Sequence, residues 1–242
     1  MIELIPAIDI IGGRCVRLSQ GDYNSKKVYS ESPAEVARRF EDCGVRRLHV
    51  VDLDGAASSH IVNWQTLERI AAATSLTIDF GGGIKSSADL DIAFESGAAM
   101  VTLGSVAVKQ PELMQEWISR YGGERIILGA DTKDGKIAVN GWKEESSHSL
   151  LPFLQDYIYN KGITKVLCTD ISRDGMLKGP SVGLYKEIME VFPNLHLIAS
   201  GGVSSLDDIT RLNEAGIPAV VIGKAIYEGR IRLEDLSKLI NN

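Results

Sequence analysis

The chain has 242 residues, enough for one large α/β domain or two small ones. Hydrophobic residues make up 44% and charged residues 24%, with no low-complexity run, so a globular core is available and disorder is excluded. A net charge of −6, a pI near 5.3 and the lack of a long basic run argue against nucleic acid or an anionic membrane as partner.

In chain order, the first apolar run covers residues 4–9 and ends on Asp9. A loop over residues 10–32 follows, carrying Arg17, and it is far longer than an ordinary βα turn. A helix is expected over 33–43, then a strand over 47–52 that contains His49. The next strand, 76–80, runs into Gly81-Gly82-Gly83, and a helix over 86–96 leads to a strand over 100–103 closed by Gly104-Ser105. A helix over 111–121 precedes a strand over 126–131 that ends on Asp131. The segment 132–147 is again long; Asp134-Gly135 reads as a hairpin turn, and Trp142 lies beyond it. A helix over 149–160 and a strand over 165–169 bring the chain to the polar run Thr169-Asp170-Ile171-Ser172-Arg173-Asp174-Gly175. The last strands, 196–199 and 219–222, are followed by Ser200-Gly201-Gly202 and by Gly223-Lys224; a helix over 206–215 lies between them, and a short one over 225–228 after them.

Eight strands alternating with helices imply a closed (β/α)8 barrel in a single domain, residues 1–242. An open doubly wound sheet is the alternative, but it would carry its GxGxxG after the first strand, where this chain has Ile10-Ile11-Gly12-Gly13-Arg14. One constant spacing pairs Gly82 with Gly201, Ser86 with Ser205, Asp89 with Asp208, Gly97 with Gly216, Val101 with Val220 and Gly104 with Gly223. Asp9 pairs with Asp131 at a slightly longer spacing, a difference that loops absorb. The barrel therefore reads as two fused (βα)4 halves, approximately 1–121 and 122–242.

In such a barrel the strand ends build the active site. Asp9 and Asp131 then face each other across the mouth, where one carboxylate can act as base and another as acid. Either residue alone would read as a turn former; the symmetric pair favours catalysis. Gly82, Gly83, Gly104 and Ser105 in the first half, and Ser200, Gly201, Gly202, Gly223 and Lys224 in the second, offer backbone amides to two phosphates. Glycine in any one cluster could merely permit a tight turn. Arg17 is an anion contact or a surface charge, and Trp142 covers a planar ring or packs on the rim. The three cysteines, Cys15, Cys43 and Cys168, lack CxxC spacing and suit a reducing compartment. The first residues lack a basic flank and an apolar core, so a cytoplasmic protein is expected. His49, His60, His148 and His196 have no metal-ligand spacing, so no metal and no cofactor are expected.

Several segments together carry a specific resemblance: Ile5-Pro6-Ala7-Ile8-Asp9-Ile10, Gly13-Arg14-Cys15-Val16-Arg17-Leu18, His49-Val50-Val51-Asp52-Leu53-Asp54-Gly55-Ala56, Gly81-Gly82-Gly83-Ile84, Gly129-Ala130-Asp131, the run 169–175 and Ser200-Gly201-Gly202-Val203. Over its whole length the chain resembles the ProFAR isomerase family of histidine biosynthesis. The resemblance implies an Amadori rearrangement of an N-linked aminoaldose, ProFAR, to the aminoketose PRFAR, on a small molecule with a phosphate at each end. It implies that Asp9 removes the C2 proton of the opened sugar and that Asp131 helps the ring oxygen leave, with Asp174 a rival for the acid. Thr169 would orient the substrate, Arg17 and His49 would contact it, and Trp142 would close over its imidazole ring. A monomer is expected. The cyclase subunit of imidazole glycerol phosphate synthase shares the duplicated barrel and both aspartates, but its first strand reads Cys-Leu-Asp where this chain has Ala7-Ile8-Asp9. An isomerase that also accepts phosphoribosylanthranilate differs only in a few loop contacts.

Overall fold

The computed structural model describes residues 1–19, 21–142 and 144–241. Among these residues the strands are β1 (Glu3–Ile11), β2 (Arg14–Ser19), β3 (Asp22–Ser30), β4 (Arg47–Asp52), β5 (Thr77–Gly81), β6 (Met100–Leu103), β7 (Ile126–Gly129), β8 (Thr132–Lys133), β9 (Lys136–Val139), β10 (Glu144–Ser149), β11 (Lys165–Thr169), β12 (His196–Ser200) and β13 (Ala219–Ile222). Strands β1, β4, β5, β6, β7, β11, β12 and β13 pair in parallel in that order, and β13 returns to β1 with Glu3 opposite Ala219 and Pro6 opposite Ile222. This is a closed (β/α)8 TIM barrel.

The helices are α1 (Pro33–Asp42), α2 (Leu53–Ser58), α3 (Trp64–Ala73), α4 (Ser87–Glu95), α5 (Ser105–Lys109), α6 (Pro111–Tyr121), α7 (Leu150–Gln155), α8 (Val182–Val191), α9 (Leu206–Glu214), α10 (Lys224–Tyr227) and α11 (Leu233–Asn241). Alternation along each strand sends one set of side chains outward to the helices, and these make the large core that includes Phe40, Leu67, Trp117 and Tyr185. The other set fills the barrel, where Ile5, Ala7, Met100, Ile127, Leu167, Ile198, Ala219 and Val221 form a separate core.

Local geometry repeats at positions that the constant spacing pairs. Ser86 caps α4 and Ser205 caps α9, each in a reciprocal capping box with the aspartate three residues on, Asp89 and Asp208. Gly82 and Gly201 share a φ of 96°, and Gly104 and Gly223 occupy the N-cap positions of α5 and α10.

Among the described residues, both long loops form strands. Residues 10–32 fold into β2 and β3, an antiparallel extension of β1, after a turn at Gly12-Gly13 with φ of 57° and 74°. Residues 132–149 fold into a separate three-stranded sheet of β8, β9 and β10, and its first turn is at Asp134-Gly135, as the sequence implied. The expected helix over 149–160 ends instead in a π-helical turn, Asp156–Asn160. The three cysteines are buried and free of disulfides. Among the described residues, no helix is long and apolar enough to cross a membrane.

Candidate active site

The strand ends surround a cavity of about 480 Å³ that Asp9, Asp131, Thr169 and Asp174 line together. Asp9 lies near the end of β1, beside Val51 of β4, and the strand runs on to Ile11 rather than ending at residue 9. The hairpin folds back over it, so that the Nη1 of Arg17 stands 3.0 Å from Asp9 Oδ2, with side-chain exposures of only 11% and 14%. Burial pushes the Asp9 carboxyl above its ordinary value, while Arg17 and His49 pull it down. Arg17 is therefore no surface charge. Its guanidinium also rests against Gly223, where a Cβ would stand 2.1 Å from Nη2.

Asp131 sits just past β7. Burial raises its pKa as well, opposed by hydrogen bonds from Trp142 and Thr169 and by the charge of His49. Trp142 donates from Nε1 to Asp131 Oδ2 at 2.8 Å. The indole also lies over Gly21, where a Cβ would come within 2.9 Å of the ring, so the two long loops meet through it. Asp174, in the turn after β11, is pushed up to about 6: burial dominates, Asp9 and Asp131 add like-charge repulsion, and Arg17 and Lys224 oppose.

The glycine clusters lie on opposite sides of this mouth. Ser200, Gly201, Gly202, Gly223 and Lys224 line one small pocket with Arg17 and Asp174. Lys224 donates from Nζ to Ser19 Oγ and to the Gly175 carbonyl, both at 2.9 Å, which ties the first loop to the sixth. Gly82, Gly83, Gly104 and Ser105 line the other side of the main cavity. The Ser105 hydroxyl accepts from the Asn140 N–H at 2.9 Å. The paired glycines also serve packing. A Cβ on Gly82 would stand 2.2 Å from the Asp52 carbonyl, and one on Gly202 would stand 2.4 Å from the Gly179 carbonyl.

Three features were not read from the sequence. Lys85 reaches the first-half cluster; burial and the neighbouring Lys109 push its ammonium pKa down, and among the described residues no carboxylate pairs with it. Its place directly after Gly81-Gly82-Gly83-Ile84 was the available signal. Asp52, wholly buried, accepts from the N–H groups of Gly55, Val62 and Asn63 and from the Asn63 side chain, and so shapes the second loop. Asp79 holds His49 from within the barrel.

The family described as Histidine biosynthesis protein matches residues 3–232 of the chain. A protein of Bacteroides thetaiotaomicron is 71% identical over 236 residues, covering 98% of each chain, and one of Phocaeicola vulgatus is 65% identical over 240 residues, covering 99% of this chain and all of its own. A protein of Flavobacterium psychrophilum is 56% identical over 241 residues and the full length of both. Each of the three is named a 1-(5-phosphoribosyl)-5-((5-phosphoribosylamino)methylideneamino) imidazole-4-carboxamide isomerase.

Proposed function

The chain belongs to the histidine biosynthesis protein family, and from that membership and the mouth of the barrel we propose that it is the isomerase its relatives are named for, converting the aminoaldose ProFAR to the aminoketose PRFAR. The observation that carries the reading is the cavity itself, with three carboxylates in three environments between two glycine cradles. The compound in the relatives' name carries two phosphoribosyl groups, which matches one cradle in each half. The halves, about 1–121 and 122–242, thereby acquire a chemical purpose: each brings one cradle and one strand-end aspartate.

The environments assign the steps. Asp174, with a pKa of about 6, is the group best able to arrive protonated, and it gives its proton to the furanose ring oxygen as the C1–O bond breaks. Asp9, whose carboxyl burial raises and the guanidinium of Arg17 at 3.0 Å pulls back down, then removes the C2 proton, and the resulting enolamine tautomerises to the ketone. Asp131 is also raised by burial, but it accepts from Trp142 and Thr169, bonds that oppose that push, and we assign it to stabilising the cation of the opened sugar. Trp142 spans both loops and covers the imidazole ring. The reaction needs no cofactor or metal, because proton transfer between carboxyl groups suffices, and the reading takes the protein as a cytoplasmic monomer.

Incubation of the purified chain with ProFAR and, separately, with phosphoribosylanthranilate tests this reading. Conversion of ProFAR in the presence of a chelator is expected. No conversion, or conversion only with a glutaminase subunit, would overturn it.

A further inference from the structure

The barrel interior is apolar along the second half and charged along the first. Ile127, Leu167, Ile198 and Val221 meet Ile5 and Ala7, whereas β4 and β5 bury Arg47, His49 and Asp79. Both oxygens of Asp79 are engaged. One accepts from His49 Nδ1 and from the Thr102 hydroxyl at 3.2 Å, and the other accepts from Arg47 Nε at 3.0 Å. Arg47 continues to Glu3 at 3.4 Å. A buried ion cluster of this kind is weak evidence for stability, because desolvation consumes most of the attraction and apolar replacements are often as stable. One member has a second connection. Parallel register places His49 between Asp79 and Ala7, one inward position below Asp9. The ring also lines the cavity that holds Asp9 and Asp131, and its charge acts on both carboxyls.

We infer that Asp79 is a positioning residue for the isomerisation: by accepting from His49 Nδ1–H it fixes the imidazole with Nε2 facing the substrate between Asp9 and Asp131. The inference rests on the isomerase reading. Burial opposes ionisation of Asp79, but His49 and Arg47 outweigh it and hold the carboxyl below its ordinary value. A carboxylate can only accept, so Nδ1 must carry the proton; Nε2 is then an acceptor in the neutral ring and a donor in the imidazolium. Asparagine at this position could accept or donate, and the choice of tautomer would be lost.

Nitrogen NMR of the free protein labelled at histidine reads the tautomer without substrate. The wild type is expected to show His49 protonated at Nδ1, and Asp79→Asn to populate the Nε2-protonated form. In turnover, Asp79→Asn is expected to lower kcat by about 10- to 100-fold, with KM changed by less than about threefold. In a His49→Gln background the same substitution should cost less than about threefold more, because the residue it positions is gone. An Asp79→Asn loss of equal size with and without His49 would show a merely structural role and overturn the inference. So would a wild-type His49 unprotonated at Nδ1, a result that needs no variant to fold. Failure of the isomerase reading is separate: the wild type would then lack turnover whatever the tautomer.

Discussion

Asp9, Asp131 and Asp174 are one side chain in three environments, and the differences between them are electrostatic. Burial raises all three; a guanidinium at 3.0 Å opposes it at Asp9 and an indole donor at 2.8 Å at Asp131, while at Asp174 the opposing charges of Arg17 and Lys224 are met by the like charges of Asp9 and Asp131. Asp9→Asn keeps the shape and removes the proposed base, so kcat should fall by about 10²- to 10⁴-fold while KM holds, as steady-state kinetics on the two proteins would show. Near-normal turnover would place the base elsewhere. Asp174 gives a pH signature. Its folded value of about 6 exceeds the ordinary 3.8, so the folded state binds the extra proton, and stability is lost as pH rises from about 4 through 6. Asp174→Asn removes that loss. The variant should melt above the wild type at pH 8, and the gap should close at pH 4; a gap independent of pH would mean that the carboxyl is not raised.

At the scale of elements, the repeated glycine turns combine packing with exposure of backbone amides. The two halves are not equally tight. A Cβ on Gly82 would stand 2.2 Å from the Asp52 carbonyl, whereas one on Gly201 would stand 3.0 Å from the Asp170 carbonyl. Both positions have a φ of 96°, so alanine strains each backbone alike and the difference is one of contact. Gly82→Ala is therefore expected to lower Tm more than Gly201→Ala, as calorimetry would reveal; the reverse order would mean that the second loop yields readily. Most strands were legible because their apolar runs are bounded by Asp, Gly or Ser. The hairpin of β2 and β3 was not, since β3 reads Asp-Tyr-Asn-Ser-Lys-Lys-Val-Tyr-Ser and is largely exposed, with no alternation to mark a buried face. The short α5 and the π-helical turn after α7 likewise lack a period long enough to read.

For the whole molecule, the proposed pairing of one glycine cradle with each half predicts two anion sites. A crystal soaked in phosphate or sulfate should show one anion at Gly82, Gly83, Gly104 and Ser105, within reach of Lys85, and a second at Ser200 to Gly202 with Gly223, after Arg17 has shifted away from Gly223. A single anion in the second half would reduce the repeat to architecture. The amino-acid sequence by itself determined the eight βα units, the constant spacing of their glycines and capping serines, and the identity of the aspartates at the barrel mouth, because periodicity, turn residues and spacing are properties of the chain. Only the tertiary structure decided what those aspartates are electrostatically. Closure of β13 onto β1 and the folding of two loops over the mouth bring Arg17 onto Asp9, Trp142 onto Asp131 and both carboxylates within reach of Asp174. Charge interactions depend on distance and burial, and neither is written in the order of residues.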